Sequence, residues 1–151
     1  MAYTVTTSIE ITATPENVWA VLSDLASYAK WHPAFLSVTG QLAAGSKLTI
    51  TTTHPASGRK IVGKVKVRTA EPDRELRWVS TVAGVTISER VFAMDPSIDG
   101  TSLVQTGTYR GLGGNRGGRT AATSLERIET AYVAINEAIK QQAEARQRSR
   151  G

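Results

Sequence analysis

Apolar and polar residues alternate with a period of two at the start of the chain, where Tyr3, Val5, Ile9 and Ile11 are interleaved with threonine, serine and glutamate. That alternation predicts a strand with one buried face. The pattern then changes. Thr14 is placed to cap a helix, Pro15 suits its first position, and Glu16 complements the positive end of its dipole. Val18, Trp19, Val21 and Leu22 give this helix an apolar face. Asp24 offers a second cap, opening a short helix through Leu25 and Tyr28. That helix must stop before Pro33, because the residue preceding proline disfavours helical backbone.

From Leu36 to Arg110 the period of two returns, interrupted by turn signals at Ala44-Gly45, Pro55 to Gly58, Pro72-Asp73, Ala83-Gly84 and Asp95 to Gly100. Six strands with short connections are predicted, hence antiparallel hairpins, since parallel neighbours need crossovers of about a dozen residues or more. After a glycine-rich loop from Gly111 to Arg119, the residues Ala121, Leu125, Ile128, Tyr132, Ile135 and Ile139 recur at steps of four and three. They share one face of a long helix. Thr123 and Glu126 have the spacing of a capping box at its start, and Glu129, Glu137, Lys140 and Glu144 form its solvated side. The apolar pattern ends at Gln142, so residues 146–151 are expected to be a basic flexible tail behind a single domain over 1–145. The predicted fold class is α+β: a seven-stranded curved antiparallel sheet wrapped around a long C-terminal helix, with two short helices after the first strand.

Composition changes this picture little. With 151 residues, 40% hydrophobic and 21% charged, the chain is of ordinary globular type, and it has no cysteine for disulfides or thiolate chemistry. The opening MAYTVTTSIE lacks a signal-peptide pattern and no apolar run approaches the roughly 20 residues of a membrane span, so a cytoplasmic protein is expected. The net charge of +5 raises the question of nucleic acid. Lys60, Lys64, Lys66 and Arg68 share one parity of a strand, Arg110, Arg116 and Arg119 flank the glycine-rich loop, and Arg146, Arg148 and Arg150 lie in the tail. The strand set alternates with Ile61, Val65 and Val67 and has no interleaved aromatics, which marks a solvated outer face and no nucleic-acid partner.

Several chemistries are excluded by spacing. Gly113 to Thr120 comes within one residue of the phosphate-binding pattern G-x-x-x-x-G-K-[ST], but Arg119 replaces the lysine. The preceding strands are hairpins, and no later strand supplies a magnesium-binding aspartate. Its glycines are expected instead to make a loop that gates a pocket. No G-x-S-x-G elbow occurs. Two histidines, His32 and His54, without H-x-x-x-H spacing or cysteine, predict no metal site. His54 beside its turn is expected to be exposed.

Three segments carry a family resemblance: ITATPENVWAVLSDLASYAKWHP, GTSLVQTGTYRGLGG and AINEAIKQQAE. In order and over nearly the whole chain they resemble the START-like helix-grip superfamily known as SRPBCC, within it the polyketide cyclase/dehydrase and lipid-transport group. The resemblance implies a START-like ligand-binding domain with a deep pocket between sheet and long helix. It would be lined by the Trp31-His32-Pro33 turn, Trp78, Gln105, Tyr109 and the inward face of the helix. Where relatives often carry an acidic residue in the last strand, this chain has Gly107.

Within such a pocket the candidate proton-transfer residues are His32, Glu89 and Tyr109, His32 because its pKa lies near neutrality in the absence of perturbation. Glu89 and Arg90 are neighbours on one strand and point to opposite faces. If Val85, Ile87 and Val91 mark the inner face, Glu89 is inside with a raised pKa. If Phe92 and Met94 mark it, Arg90 is inside and able to hold an anionic or carbonyl oxygen, and a bulge before Pro96 would switch the two. The first arrangement is the one expected. Tyr132 and Asn136, four apart on the long helix, would orient a ligand by hydrogen bonds, while Trp31, Phe35 and Trp78 would stack on a flat one. The expected function is binding of a hydrophobic, ring-containing small molecule or lipid without a cofactor, with a homodimer allowed. The alternative is a cofactor-independent cyclase, aromatase or dehydratase of natural-product biosynthesis using the same cavity.

Overall fold

In the computed structural model, which describes residues 2–53, 57–110 and 118–150 and side chains of the last helix from Leu125 onward, seven strands form one antiparallel sheet. They are β1 (Ala2–Ile11), β2 (Phe35–Gly40), β3 (Lys47–Thr53), β4 (Lys60–Glu71), β5 (Glu75–Val82), β6 (Val85–Ser97) and β7 (Gly100–Arg110). The sheet order β1-β7-β6-β5-β4-β3-β2 follows from five successive hairpins, with β1 added beside β7. Between β1 and β2 lie α1 (Pro15–Ser23), a single 3-10 turn (Leu25–Ser27) and the four-residue α2 (Tyr28–Trp31). The long α3 (Gly118–Arg150) closes the concave side. Among the described residues no helix is long and apolar enough to cross a membrane.

Local chemistry accounts for these elements. The Thr14 hydroxyl accepts the amide of Asn17 at 3.3 Å, and Pro15 occupies the first turn of α1. The β5–β6 hairpin turns at Ala83 and Gly84 with φ of 50° and 80°, a two-residue turn whose positive angles match the strand twist and suit glycine. Asp24 does not cap the second helix as expected: its carboxylate accepts the Ser27 hydroxyl at 2.6 Å, and the segment divides into a 3-10 turn and α2. Nor does Thr123 start the long helix, which is already formed at Gly118. His54, the Pro55 turn and residues 111–117 of the expected gating loop lie outside the described residues, while Gly118 and Arg119, expected to end that loop, belong to the long helix.

The core fills the space between the concave face and the helices. Val18, Leu22, Leu48, Val67, Leu76, Phe92, Leu103, Ile135 and Ile139 are all buried in one cluster, each contributing about 1.5–3 kcal/mol by removal from water. The helix rests on β1 and β7 at one side of the sheet, and α2 rests on β2 at the other. In α3 the stripe continues past the expected end of the apolar pattern. Ala143 is fully buried, and the helix runs through Arg150 where a flexible tail was expected from 146. The cause is polar. Gln147 accepts the Thr14 amide at 3.1 Å and an Asn17 side-chain N–H at 2.5 Å, and Arg146 donates to Asn17 at 3.2 Å. Glu144, placed by sequence on the solvated side, accepts the Thr12 amide at 2.8 Å and the Lys140 ammonium at 2.5 Å. These side chains satisfy the backbone where β1 turns into α1, so the last two turns of α3 are docked.

One glycine fixes how deeply α3 sits. Gly107 on β7 lies directly beneath Tyr132, and a Cβ there would fall 1.8 Å from the Tyr132 hydroxyl and 2.9 Å from the Tyr109 ring. No side chain fits without displacing a fully buried tyrosine. Gly107→Ala is therefore expected to cost about 1–3 kcal/mol in urea unfolding, as overpacked cores do. The loss should shrink in a Tyr132→Phe background, where the nearest atom is gone; an unchanged midpoint for Gly107→Ala would contradict this packing.

Candidate functional site

Alternation along β5, β6 and β7 decides which side chains face α3. Leu76, Trp78, Phe92, Met94, Leu103 and Gln105 are buried on the concave side, and the pairs Trp78–Arg90 and Arg90–Gly107 place Arg90 among them. Glu89 consequently faces the convex side, which corrects the expectation that it lies inside. There it accepts from Arg77 at 3.1 Å, and Arg77 also pairs with Glu75 at 3.0 Å. These groups are about a third exposed, and such a pair is worth at most about 1 kcal/mol. Hydrogen bonding from Arg77 holds the Glu75 carboxyl below its usual range. The reversal has a local cause. Ser80 pairs with Ser88 but Thr81 pairs with Thr86, so Ile87 is an extra residue in β6. Val85 and Ile87 lie at or beyond this bulge and are exposed, and so cannot mark the same face as Val91. Around Pro96 the register is continuous to Ser97.

Arg90 is held by neutral groups. Its Nε and Nη2 donate to Gln105 Oε1 at 3.1 and 2.8 Å, and its guanidinium carbon lies 4.4 Å from the ring centre of Tyr132, 5.7 Å from Phe92 and 6.0 Å from Phe35. Gln105 in turn donates to Asn136 Oδ1 at 2.7 Å and to the Tyr132 carbonyl at 3.3 Å, and Asn136 donates to Thr7 Oγ1 at 2.9 Å. The chain of bonds crosses from β6 through β7 and α3 to β1. Asn136, expected to orient a ligand, is thus consumed by the protein. Tyr132 is buried as well; its hydroxyl meets that of Tyr109, and burial raises its pKa well above the usual phenol value against the lowering effect of Arg90.

His32 is not placed as a base. Its Nδ1 accepts the amides of Ala34 and Phe35, both at 3.0 Å, and its ring stacks on Phe35 at 3.9 Å with 7° between planes. Burial first, and then the charge of Arg90, push the imidazole from 6.5 down to about 3. The residue is a neutral turn fixture that orders the link from α2 into β2. Trp31 packs half-buried beside Tyr28 at 4.8 Å, in that same cluster.

A hollow of about 230 Å³ lies over the sheet, and among the described residues none of α2 or α3 lines it. Phe35, Ile50, Ile61, Val65 and Trp78 provide its apolar wall, and Arg90 with Tyr109 its polar end. Of the expected residues, the structure brings Phe35, Trp78, Arg90 and Tyr109 to this hollow, with Gln105 and Tyr132 behind Arg90. Glu89 also borders it, with its carboxylate engaged by Arg77. Ile50, Ile61 and Val65 were not singled out from sequence. Their alternation marked an inner face but gave no sign of which strand ends the helices leave bare. A larger depression of about 600 Å³ lies between the start of α1 and the β4–β5 turn, bordered by Glu16, Asp73, Arg74 and Asp95 with no aromatic wall. Among the described residues no group of three or more histidine and carboxylate side chains could hold a metal.

A curved antiparallel sheet gripping one long helix defines the helix-grip class, here with a lined hollow on its concave side. The chain belongs to the polyketide cyclase/dehydrase and lipid-transport family, whose family model matches residues 2–144. Among curated proteins none matches it in sequence. Solved structures of the same fold include the Zhui aromatase/cyclase from Streptomyces sp. R1128, at 19% identity and TM-score 0.74 over 100% of this chain and 99% of that one. A protein of unknown function from Staphylococcus aureus aligns at 9% identity and TM-score 0.78, covering 98% and 97% of the two chains. The di-domain ARO/CYC StfQ of the steffimycin biosynthetic pathway aligns at 12% identity and TM-score 0.77 over 97% of this chain, which spans 52% of that one. At these identities the likenesses fix the fold.

The His32 environment makes a pH prediction. Above about pH 6.5 the imidazole is neutral in both folded and unfolded chains. Below it the unfolded chain takes up a proton that the folded one refuses, so stability falls as pH falls, by up to about 1.4 kcal/mol per unit until the folded value near 3 is reached. Urea unfolding between about pH 7.5 and 5 should show this slope, and His32→Asn should lack it; equal slopes would mean that the imidazole protonates freely in the folded protein.

Proposed function

We propose that this protein binds a small, hydrophobic, ring-containing molecule in the hollow on the concave face of the sheet, beside α3 and not beneath it as the sequence led one to expect. The observation that carries the reading is the lining of the hollow, in which the apolar Phe35, Trp78, Ile50, Ile61 and Val65 stand with the polar Arg90, Tyr109, Lys64 and a few hydroxyl groups. Ligand sites have this composition, in which area supplies affinity and a few polar groups set orientation. A volume of about 230 Å³ suits a molecule of one or two rings better than a two-chain lipid.

A second reading, an enzyme of the cyclase, aromatase or dehydratase type, draws support from the family and from Tyr109. With His32 buried and neutral and the Glu89 carboxylate engaged by Arg77, Tyr109 is the expected proton-transfer residue at the hollow that carries no ion pair among the described residues. Such an enzyme would work mainly by folding its substrate against the aromatic wall, since orientation alone supplies several kcal/mol of barrier lowering, roughly 7–11 at best. Tyr109→Phe separates the readings: binding should weaken by no more than one hydrogen bond, about 1 kcal/mol, in either, while a fall in turnover well beyond that is expected only in the second.

Binding itself is testable with 2-naphthol, followed through tryptophan fluorescence. Saturable one-to-one quenching is expected. Ile61 is 44% exposed at the mouth and open to change without disturbing the core, and Ile61→Asp should weaken binding about tenfold, or about 1.4 kcal/mol. Val133→Ala, on the outer side of α3, should change nothing. Absence of saturable quenching would overturn the reading.

A further inference from the structure

We propose that Arg90 is an anchor for an anionic oxygen, so that the natural ligand is a flat hydrophobic molecule bearing a carboxylate, enolate or phenolate and not a neutral one. The inference rests on the binding function proposed above and specifies its ligand class.

The argument begins with where the carboxylates are. Of the acids on β5, β6 and β7, Glu75 and Glu89 lie on the opposite face and are engaged by Arg77, and Asp95 is exposed near the far end of β6. On α3, Glu126, Glu129 and Glu137 are exposed and Glu144 pairs with Lys140. Among the described residues Arg90 has no ion pair. A partly buried cation without a counter-ion is costly, and here the cost is met only by one amide oxygen and three ring faces. Gln105 is the telling partner. A glutamate there would neutralise the charge, yet the Gln105 NH2 faces two oxygens, Asn136 Oδ1 and the Tyr132 carbonyl, so a carboxylate would meet acceptors on its other side. The acceptors on α3 thus suit an amide and not a carboxylate at position 105, and the charge of Arg90 stays uncompensated there.

The remaining geometry directs that charge outward. Gln105 takes Nε and Nη2, and the ring of Tyr132 covers one face, which leaves Nη1 without a partner among the described residues on a side chain that lines the hollow. Guanidinium donors match an anionic oxygen in shape and charge. The Tyr109 hydroxyl stands beside the same end as a second donor or acceptor. A ring lying on Phe35 and Trp78 would bring its oxygen substituent to this point.

The test compares 2-naphthoate with 2-naphthamide, a neutral relative of nearly the same shape, by calorimetry on the native protein at fixed ionic strength. At least tenfold tighter binding of naphthoate is expected. In Arg90→Met, which keeps the apolar stem, the preference should fall to within about twofold while naphthamide affinity changes little. Equal affinities in the native protein would overturn the anion anchor and leave the binding function standing. A preference that survives Arg90→Met but disappears in Lys64→Met would overturn it too, by assigning the charge to the other cation at the hollow. Failure of both compounds to bind a protein of intact circular dichroism would overturn the binding function, and this inference with it.

Discussion

The concave side of this protein is organised by the satisfaction of one buried amide. Gln105 is inaccessible to solvent and has to place an oxygen and an NH2 without water. Its oxygen accepts two bonds from Arg90, and its NH2 donates to the side chain of Asn136 and the carbonyl of Tyr132. The assignment cannot be reversed, because guanidinium offers only donors and a carbonyl only an acceptor. From that constraint follow the depth of α3, the turn of Asn136 toward Thr7, the position of the Tyr132 ring over Arg90, and the need for an unsubstituted Gly107 beneath it. Leaving any of these groups unpaired would cost about 1–3 kcal/mol, so the network behaves as a unit.

How much of this was readable from sequence depends on range. Period and turn chemistry located the strands, the order of elements and the buried stripe of α3, because those signals are set by near neighbours. The faces of β6 were misread for a physical reason: the bulge at Ile87 interrupts the alternation, and exposed Val85 and Ile87 supply apolar residues that belong to no core. His32 had the chemistry of a base in isolation. Its pKa is governed by burial against Phe35 and Tyr28 and by Arg90, more than fifty residues away in the chain. The docked end of α3 was invisible for a similar reason, since Glu144, Arg146 and Gln147 look like a solvated tail until Thr12, Thr14 and Asn17 are brought beside them. In sequence Gly107 is only the absence of an acid; that it seats Tyr132 follows from the helix packed above it.

For function, these corrections narrow the chemistry. Two of the three expected proton-transfer residues are engaged elsewhere, His32 by backbone amides and Glu89 by Arg77. What remains at the hollow is an aromatic wall, a phenol and the cations Arg90 and Lys64, which is the basis for proposing that it holds and orients an oxygen-bearing ring. The family's description includes both cyclase/dehydrase chemistry and lipid transport, and the function proposed here puts recognition first.

A crystal structure of the protein grown with 2-naphthoate tests this account most directly. It predicts the rings against Phe35 and Trp78 with the carboxylate on Nη1 of Arg90 and the Gln105 bonds unbroken. A ligand seated instead in the depression beside Pro15 and Pro96, or in the hollow with its carboxylate turned away from Arg90, would contradict it.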